Sequence, residues 1–398
     1  MRLKFQPVKD LRNHLLQLWW QQSGVAVPRR SQCTLYRHLS RINGVALSSV
    51  EPAIQVRYPA WSMVGLVDDL PASTEEGESW QGEMVVDYPE RIVTRVSGGS
   101  LFCRQGFVLT ENQQEILDLN GDGFQQVFPF AGKEVFVPRP QRVPGRLLVL
   151  TNSCAQRNYY HWTLEIMSQL RLLKEAGIEF DWVAAPDRRP FVVPSLELLG
   201  IKPAQMIRMG RYTHLQADEL VMLGRDGGYP HPRGITYLRD TMRDQPWSKF
   251  ESSKRLRLYI PRSSCVSRRI VEEEKLVEAL SVFGFQSVRL ESLSVQQQIE
   301  LFQQAEMVVA PHGAGLTNLA YCRPGTAVLE VSPTSRPCRY FHGLSHINQL
   351  RFRVYFGRSV RRLGQVGTEA DIEIQREALL HEVQDLLAHV EQPLACTV

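Results

Sequence analysis

The stretch Met307–Val331, MVVAPHGAGLTNLAYCRPGTAVLEV, constrains the fold of this chain more than any other. Met307–Ala310 is a short apolar run of the kind a buried strand needs, and it stops at Pro311-His312-Gly313-Ala314-Gly315. Leu316–Cys322 then carries the pattern of a short apolar helix, Pro324-Gly325 a turn, and Thr326–Val331 a second buried strand. A glycine-bearing turn between strand and helix brings backbone N–H groups close to whatever lies above the sheet edge. The helix start adds partial positive charge, so an anion such as phosphate is favoured there. The same glycines would serve a tight turn with no ligand, and a lone Gly-x-Gly does not separate the two.

The flanking sequence repeats this β-α unit. Leu256–Ile260 reads as a strand, Val271–Phe283 as a helix ended by Gly284, Ser287–Leu290 as a strand and Val295–Ala305 as a helix. Tyr340–Ile347 follows as a helix, Phe352–Phe356 as a strand, and Ala370–Val390 as a long amphipathic helix. Right-handed crossovers between such units give an open parallel sheet with helices on both faces.

The first half is less regular. Prolines 28, 52, 59, 71 and 89 interrupt residues 1–90, and Ala72–Gly82 is acidic and rich in small residues, as an exposed loop would be. Short β runs follow at Ile92–Val96, Leu101–Cys103, Phe107–Leu109 and Glu134–Val137, with Gly98-Gly99 and Gly121 expected to supply hairpin turns. Asp118–Gly123 copies the start of a calcium loop. Its twelfth position is Pro129 and its flanks read as strands, so a turn is expected instead. From Leu147–Leu150 the pattern alternates again: a helix Tyr159–Ala176 stopped at Gly177, a strand Trp182–Ala185, a helical segment Pro194–Leu199, and strands Met206–Met209 and Leu220–Gly224. Arg225–Gly234 reads as a turn-rich loop, and the polar stretch Asp244–Ser253 marks a domain boundary.

Composition narrows the function classes. A net charge of +4 on 398 residues gives no basic field for nucleic acid. The seven cysteines are scattered and odd in number, which suits reduced thiols in a cytosolic compartment better than a disulfide framework or zinc site. No run approaches the ~20 apolar residues of a membrane span. Met1–Gln22, with Leu11, Leu15, Leu16, Leu18, Trp19 and Trp20 beside Lys4, Lys9 and Arg12, reads as a helix packed on its own domain or touching a membrane surface.

In an open parallel sheet, ligands bind beyond the carboxyl ends of the strands. Those ends carry Arg262, Glu291, His312 with Gly313 and Gly315, and Glu330, with Arg268 and Arg269 in the first loop. Guanidinium groups and amides suit a diphosphate, and carboxylates suit ribose hydroxyls. A solvated basic loop and a sheet-edge salt bridge are the plainer readings of the same residues. A second candidate is Asn158–Glu165, NYYHWTLE, where His161 and Glu165 lie four apart and share a helix face. An imidazole next to a carboxylate is a tunable proton acceptor. No third ligand is near for a metal, and a helix-start histidine serving structure alone fits as well.

Two blocks together resemble the family 61 glycosyltransferases: NYYHWTLEIMSQLRLL (Asn158–Leu173) and the segment Leu258–Glu330 with YIPRSSCVSRRIVEEEKL and VVAPHGAGLTNLAYCRPGTAVLEV. The resemblance covers about the last two-thirds of the chain and implies an α/β protein of the GT-B type. Two Rossmann-like domains would face a cleft, with an antiparallel β region in the N-terminal half. The implied division is 1–145 as N-terminal extension and β-rich region, 146–250 as the α/β part of the acceptor-side domain, 251–365 as the nucleotide-sugar domain and 366–398 as a C-terminal helix. The implied reaction moves a sugar from a nucleotide-sugar donor (UDP-sugars among the candidates) to a hydroxyl of a glycan or lipid-linked acceptor. It would proceed with inversion, with no metal and no cofactor.

By position, Arg262 and Arg268 or Arg269 would hold the diphosphate. His312, Gly313, Ala314, Gly315 and Asn318 would form the donor loop, and Glu330 would lie near the nucleotide. Glu165 would deprotonate the acceptor, with His161 orienting it or exchanging roles with it. Met1–Arg30 lacks the anchor and secretory lead of Golgi members, which points to a bacterial-style cytoplasmic enzyme with peripheral contact at the inner membrane face. A non-catalytic nucleotide-sugar or glycan-binding protein and a nucleotide-sugar epimerase are the competing expectations.

Overall fold

A computed structural model describes residues 43–71, 80–103, 106–111, 116, 138–151, 158–186, 189–224, 228–365 and 369–390. The helix expected in Met1–Gln22, the calcium-loop look-alike Asp118–Gly123 and the strand expected at Glu134–Val137 lie outside the described residues. The protein is mixed α/β, as its patterning implies. It divides into two compact units. One holds the described residues of Met1–Ala53, Pro89–Trp162 and Gln169–Gly227; the other holds those of Ile54–Tyr88, Thr163–Ser168 and Gly228–Val398.

In the first unit, Gln141–Val149, Trp182–Pro186 and Met206–Met209 run parallel side by side, and His214–Leu223 joins them parallel to Gln141–Val149. Arg91–Ser97 and then Val45–Glu51 extend the sheet antiparallel. Val96, Leu101, Val143, Leu147, Ala184, Leu215 and Leu220 fill its core.

Gly98-Gly99 does not turn a hairpin. Arg91–Ser97 and Ser100–Phe102 both pair antiparallel with His214–Leu223, in one continuous register. Gly98 sits at φ +61° inside that line, and a Cβ on Gly99 would lie 2.8 Å from Val96 Cγ1. The glycines therefore pass a kinked strand through a crowded layer rather than reverse it. The reversal comes one step later, where Ser100–Phe102 pairs with Phe107–Leu109 and Gly106 adopts φ +81°.

The second unit is built on a sheet in the order Phe285–Ser287, Leu256–Tyr259, Ala305–Pro311, Ala327–Pro333, Arg351–Val360, all parallel, with Asp371–Glu373 antiparallel at the edge. In chain order those five parallel strands lie 2-1-3-4-5. The first strand therefore has its successors on opposite sides. One sheet face carries the helices Glu273–Ser281 and Arg376–Val390, whose Leu276, Leu280, Leu379, Val383 and Leu386 pack with Met307, Val309, Leu329 and Val331. Strand alternation then turns Ala310 and Glu330 to the opposite face. The helix Tyr340–Ile347 lies on that side and packs with the 3-10 helix Ala314–Tyr321, which also meets the helices Pro232–Arg243 and Val295–Gln303.

Four further differences from the sequence reading appear. The helix expected at Ala370–Val390 begins only at Arg376, because Asp371–Glu373 is an edge strand. The strand expected at Ser287–Leu290 sits earlier, at Phe285–Ser287, and Leu290–Ser292 is a 3-10 turn. The loop expected at Arg225–Gly234 gives way at Pro232 to a helix, Pro232–Arg243; Pro232 occupies its start, and Ile235, Leu238 and Met242 are buried. The proline-broken stretch before residue 90 forms strands Val45–Glu51, Ile54–Tyr58, Ser62–Gly65 and Met84–Tyr88. Its prolines 52, 59 and 89 mark the joints between them.

Ser62–Gly65 adds in parallel to Arg351–Val360. The Arg339 guanidinium holds the adjoining chain, lying 5.4 Å from the Trp61 ring and 5.8 Å from that of Trp80. It also donates to the Trp80, Gly82 and Glu83 carbonyls. Among the described residues no helix is long and apolar enough to cross a membrane.

Candidate functional site

In the second unit the loops leaving Leu256–Tyr259 and Ala305–Pro311 part company at the point where strand order reverses, the place where open parallel sheets generally take a ligand. The first loop is fastened at both ends. Glu273 Oε1 accepts from Tyr259 Oη at 2.7 Å and from the Arg262 amide at 2.9 Å, fixing the loop's start. At its far end the Arg269 amide and guanidinium donate to Asp371 at 3.1–3.3 Å, and Arg362 reaches the same carboxylate at 2.8 Å. Burial alone would push the Asp371 carboxyl up. The Arg269 amide and the two guanidinium groups outweigh it and hold the carboxyl below its ordinary range. Arg269 is therefore engaged as a strap on the edge strand.

Asp371→Asn is expected to cost about 1–2 kcal/mol, after allowing for two half-exposed guanidinium groups. Melting curves would show the loss as a lower Tm. Sign follows from the depressed carboxyl: the strap's contribution is present at neutral pH and lost as pH falls through the folded-state pKa. The variant should remove that acid sensitivity.

Between the two anchors stands Arg268, held in the left-handed region at φ +55°. Its Nε is buried without a hydrogen-bond partner, and it makes no ion pair among the described residues. Burial, with Arg262 and Arg336 adding to it, lowers its pKa to about 10. Arg262 lies alongside, its Nε and Nη2 donating to the Ser267 carbonyl at 3.3 and 3.2 Å. Arg336 enters from the loop after Ala327–Pro333, and its Nε is likewise buried without a partner. Three guanidinium groups therefore gather here, and two of them, Arg268 and Arg336, keep a buried donor that no protein acceptor satisfies; an anion is the kind of group that would. Glu291 stands at the rim, where the Ser264 hydroxyl at 2.6 Å holds its carboxyl below the ordinary range.

The second loop supplies His312, Gly313, Ala314 and Gly315. Gly313 is extended, at φ 176°, and caps the 3-10 helix Ala314–Tyr321, whose first amides have no intrahelical acceptor. A Cβ on Gly313 would strike Arg262 Nη1 and lie 3.0 Å from its Cζ. One on Gly315 would lie 3.0 Å from Leu290 Cδ1. Gly313→Ala is thus expected to leave the fold intact, since a guanidinium tip can swing aside, yet to displace Arg262. Thermal melting should barely change while anion affinity falls several-fold. An unchanged affinity would detach Gly313 from the site. Asn318 is buried and donates to Gln298 Oε1 at 3.0 Å and to the Gly315 carbonyl at 3.3 Å, which ties the turn to the helix Val295–Gln303.

The least expected feature is a pair. His312 Nδ1 is hydrogen-bonded to Glu330 Oε1, and both side chains are buried. Register explains the meeting: Glu330 pairs with Ala310 across the strands, and His312 lies two residues further along the same face. Burial lowers the His312 pKa, Glu330 pulls it up, and Arg268 and Arg336 lower it further, so the net direction is down.

His161 and Glu165 lie on a segment whose geometry departs from the expected α-helix. His161–Ile166 is π-helical, Met167–Leu170 is 3-10, and only Arg171–Ala176 is regular, ending on Gly177 at φ +63° as expected. Both side chains are half-buried. Thr163–Ser168, and with it Glu165, belongs to the unit that carries the arginine site. There Gly234 allows close approach: a Cβ on it would lie 3.0 Å from Ser168 Cβ. Among the described residues no group of three or more His, Cys, Asp or Glu side chains gathers as a metal site would.

Sequence reasoning missed Arg336, which no motif marks; its only signal is its place just past a buried strand. The glycosyltransferase 61 family model matches residues 159–329, a span that includes Glu165, Arg262, Arg268 and the His312–Gly315 turn. No curated protein matches the chain. The family match supports a glycosyltransferase.

Proposed function

We propose that this protein is an inverting glycosyltransferase that takes a sugar from a nucleoside diphosphate donor and places it on a hydroxyl of a glycan or lipid-linked acceptor. The observation that carries the reading is the cluster of Arg262 against Gly313 with Arg268 and Arg336, the last two each with a buried donor lacking a partner, at the strand-order reversal of a parallel sheet. Arg262 and Arg268 bind the diphosphate, and the amides opening the Ala314–Tyr321 helix add to them. Of the two arginines that the sequence left open, Arg268 takes this role, since Arg269 is spent on Asp371.

When the bond from the anomeric carbon to the diphosphate breaks, negative charge grows on the leaving oxygen. Fixed positive groups around it stabilise that charge in the place a metal would take. Glu165 removes the acceptor proton as the acceptor oxygen attacks from the opposite face, which inverts the anomeric centre. The irregular π-helical turn at His161–Ile166 supports a working segment there, because such turns concentrate at functional sites.

The test is a thermal-shift panel of nucleoside diphosphates and their sugars, followed by transfer assays with the best ligand. A ligand that binds only the folded state raises Tm. Stabilisation by at least one diphosphate, together with sugar transfer to an added acceptor, is expected. Binding with no transfer to any acceptor would leave a nucleotide-sugar binder instead.

A further inference from the structure

Phosphate binding by arginines does not by itself call for the His312–Glu330 pair. Glu330 is fully buried, and only its Oε1 is bonded; Oε2 is buried with no hydrogen-bond partner. A carboxylate held this way is costly, and its one evident service is to fix an imidazole. With Nδ1–H committed to the carboxylate, the neutral ring presents Nε2 as its free nitrogen. Nε2 makes no hydrogen bond among the described residues.

The groups around the ring can be named. Glu330 comes from the neighbouring strand, Arg268 from the loop after Leu256–Tyr259, and Arg336 from the loop after Ala327–Pro333. The Phe341 ring covers one side at 5.3 Å between centroids. Cys338, itself within reach of Glu330, Arg268 and Arg336, is kept a neutral thiol, its pKa pushed up to about 12 chiefly by burial. One negative charge and two positive ones therefore face a buried imidazole. In the unliganded protein burial and the arginines prevail, and the ring is neutral at pH 7.

We propose that His312 binds the donor diphosphate as an imidazolium, with Glu330 as its positioning residue and Arg336 completing the guanidinium set of Arg262 and Arg268. This rests on the diphosphate reading given above. A diphosphate seated on these arginines offsets the two positive charges that oppose protonation. One proton then passes from solvent to Nε2, which donates a hydrogen bond to a phosphate oxygen; no other bond is made or broken on binding. In the transfer step the same N–H meets the charge growing on the leaving oxygen. Donor affinity must accordingly rise as pH falls through the imidazole pKa of the complex, and level off below that of the unliganded protein. A nucleotide sugar is a diphosphate diester without an ionisation of its own near neutrality, so the proton counted belongs to the protein.

The experiment is titration calorimetry on the full chain with UDP-glucose, UDP-N-acetylglucosamine and GDP-mannose, at about pH 7.5 in Hepes and again in Tris, buffers of different ionisation enthalpy. For whichever sugar nucleotide binds, the observed enthalpy should differ between buffers by the amount that reports net proton uptake. His312→Gln should abolish that difference and weaken binding several-fold. Glu330→Gln, which keeps an acceptor for Nδ1 but loses the charge, should reduce the uptake. Wild-type binding with no buffer dependence, or dependence that survives in His312→Gln, would overturn the proposal and leave the diphosphate reading standing. If none of the three binds, the diphosphate reading fails and this one with it. Should His312→Gln not fold by circular dichroism, the pH dependence of wild-type affinity decides: a flat profile from about pH 6 to 8 overturns the proposal.

Discussion

Arg268→Gly is expected to weaken donor binding by about 10- to 150-fold while leaving the melting temperature unchanged or raised. The first half follows from charge. A guanidinium on phosphate contributes about 1.5–3 kcal/mol, which converts to that range of dissociation constants. The second half follows from the unliganded site. Arg268 sits at φ +55°, a conformation that L side chains adopt at a cost and glycine adopts freely. Its Nε is buried with no partner, and its neighbours Arg262 and Arg336 repel it. An arginine kept for structure would lower Tm when removed, as Arg269 with its Asp371 partner should. An arginine kept for a ligand relieves strain when removed, and this opposition between stability and binding marks a binding site. Arg268→Lys gives a further check, because a point charge at the same place restores only part of a forked contact. If Arg268→Gly melts several degrees lower and binds donor normally, Arg268 is structural and the anion site must be sought elsewhere.

The parallel sheet of the second unit could be read from its sequence because each strand is a short apolar run bounded by glycine, proline or charge. Ala305–Pro311 and Ala327–Pro333 enclose the two runs read as strands there. Such runs leave little choice, since both faces must be covered. Before residue 90 the strands are half-exposed, as in the alternating burial of Ile54–Tyr58, and prolines between them were read as interruptions when they are corners. The helix Pro232–Arg243 is obscured for a related reason: its proline and its glycine lie in the first turn, where a helix tolerates them. Edge strand Asp371–Glu373 was absorbed into a helix because Ile372 and Ile374 fit both periods.

The site divides along the same line. Arg262, His312 and the glycines announce themselves at strand ends. The His312–Glu330 bond depends on register between two strands eighteen residues apart in sequence, and no local pattern encodes that. Once Ala310 is known to face Glu330, the pairing follows from alternation alone. Arg336 is different: a single arginine between Ser335 and Pro337 has no signature, and only the fold brings it to Arg268. Local sequence therefore marks the two loops at the strand ends, while the charges that gather around them depend on long-range topology.

Replacing Glu165 by glutamine should lower kcat by about 100- to 10,000-fold, the range that a positioned general base contributes. Donor affinity should stay within about twofold, because Glu165 bears on the acceptor proton and not on the diphosphate. Glutamine keeps the size and one acceptor oxygen, so the half-buried side chain loses its basicity and little else. The pH profile carries the sharper information. If the carboxylate is the base, the acidic limb of the kcat/KM profile belongs to it and should vanish in the variant, while any limb due to His312 remains. His161→Gln separates the two candidates on this turn: a fall in kcat there with Glu165→Gln unaffected would exchange their roles. A transfer rate in Glu165→Gln equal to that of the unaltered protein would take the base off this turn, and the buried imidazole beside the arginines would be the next group to test.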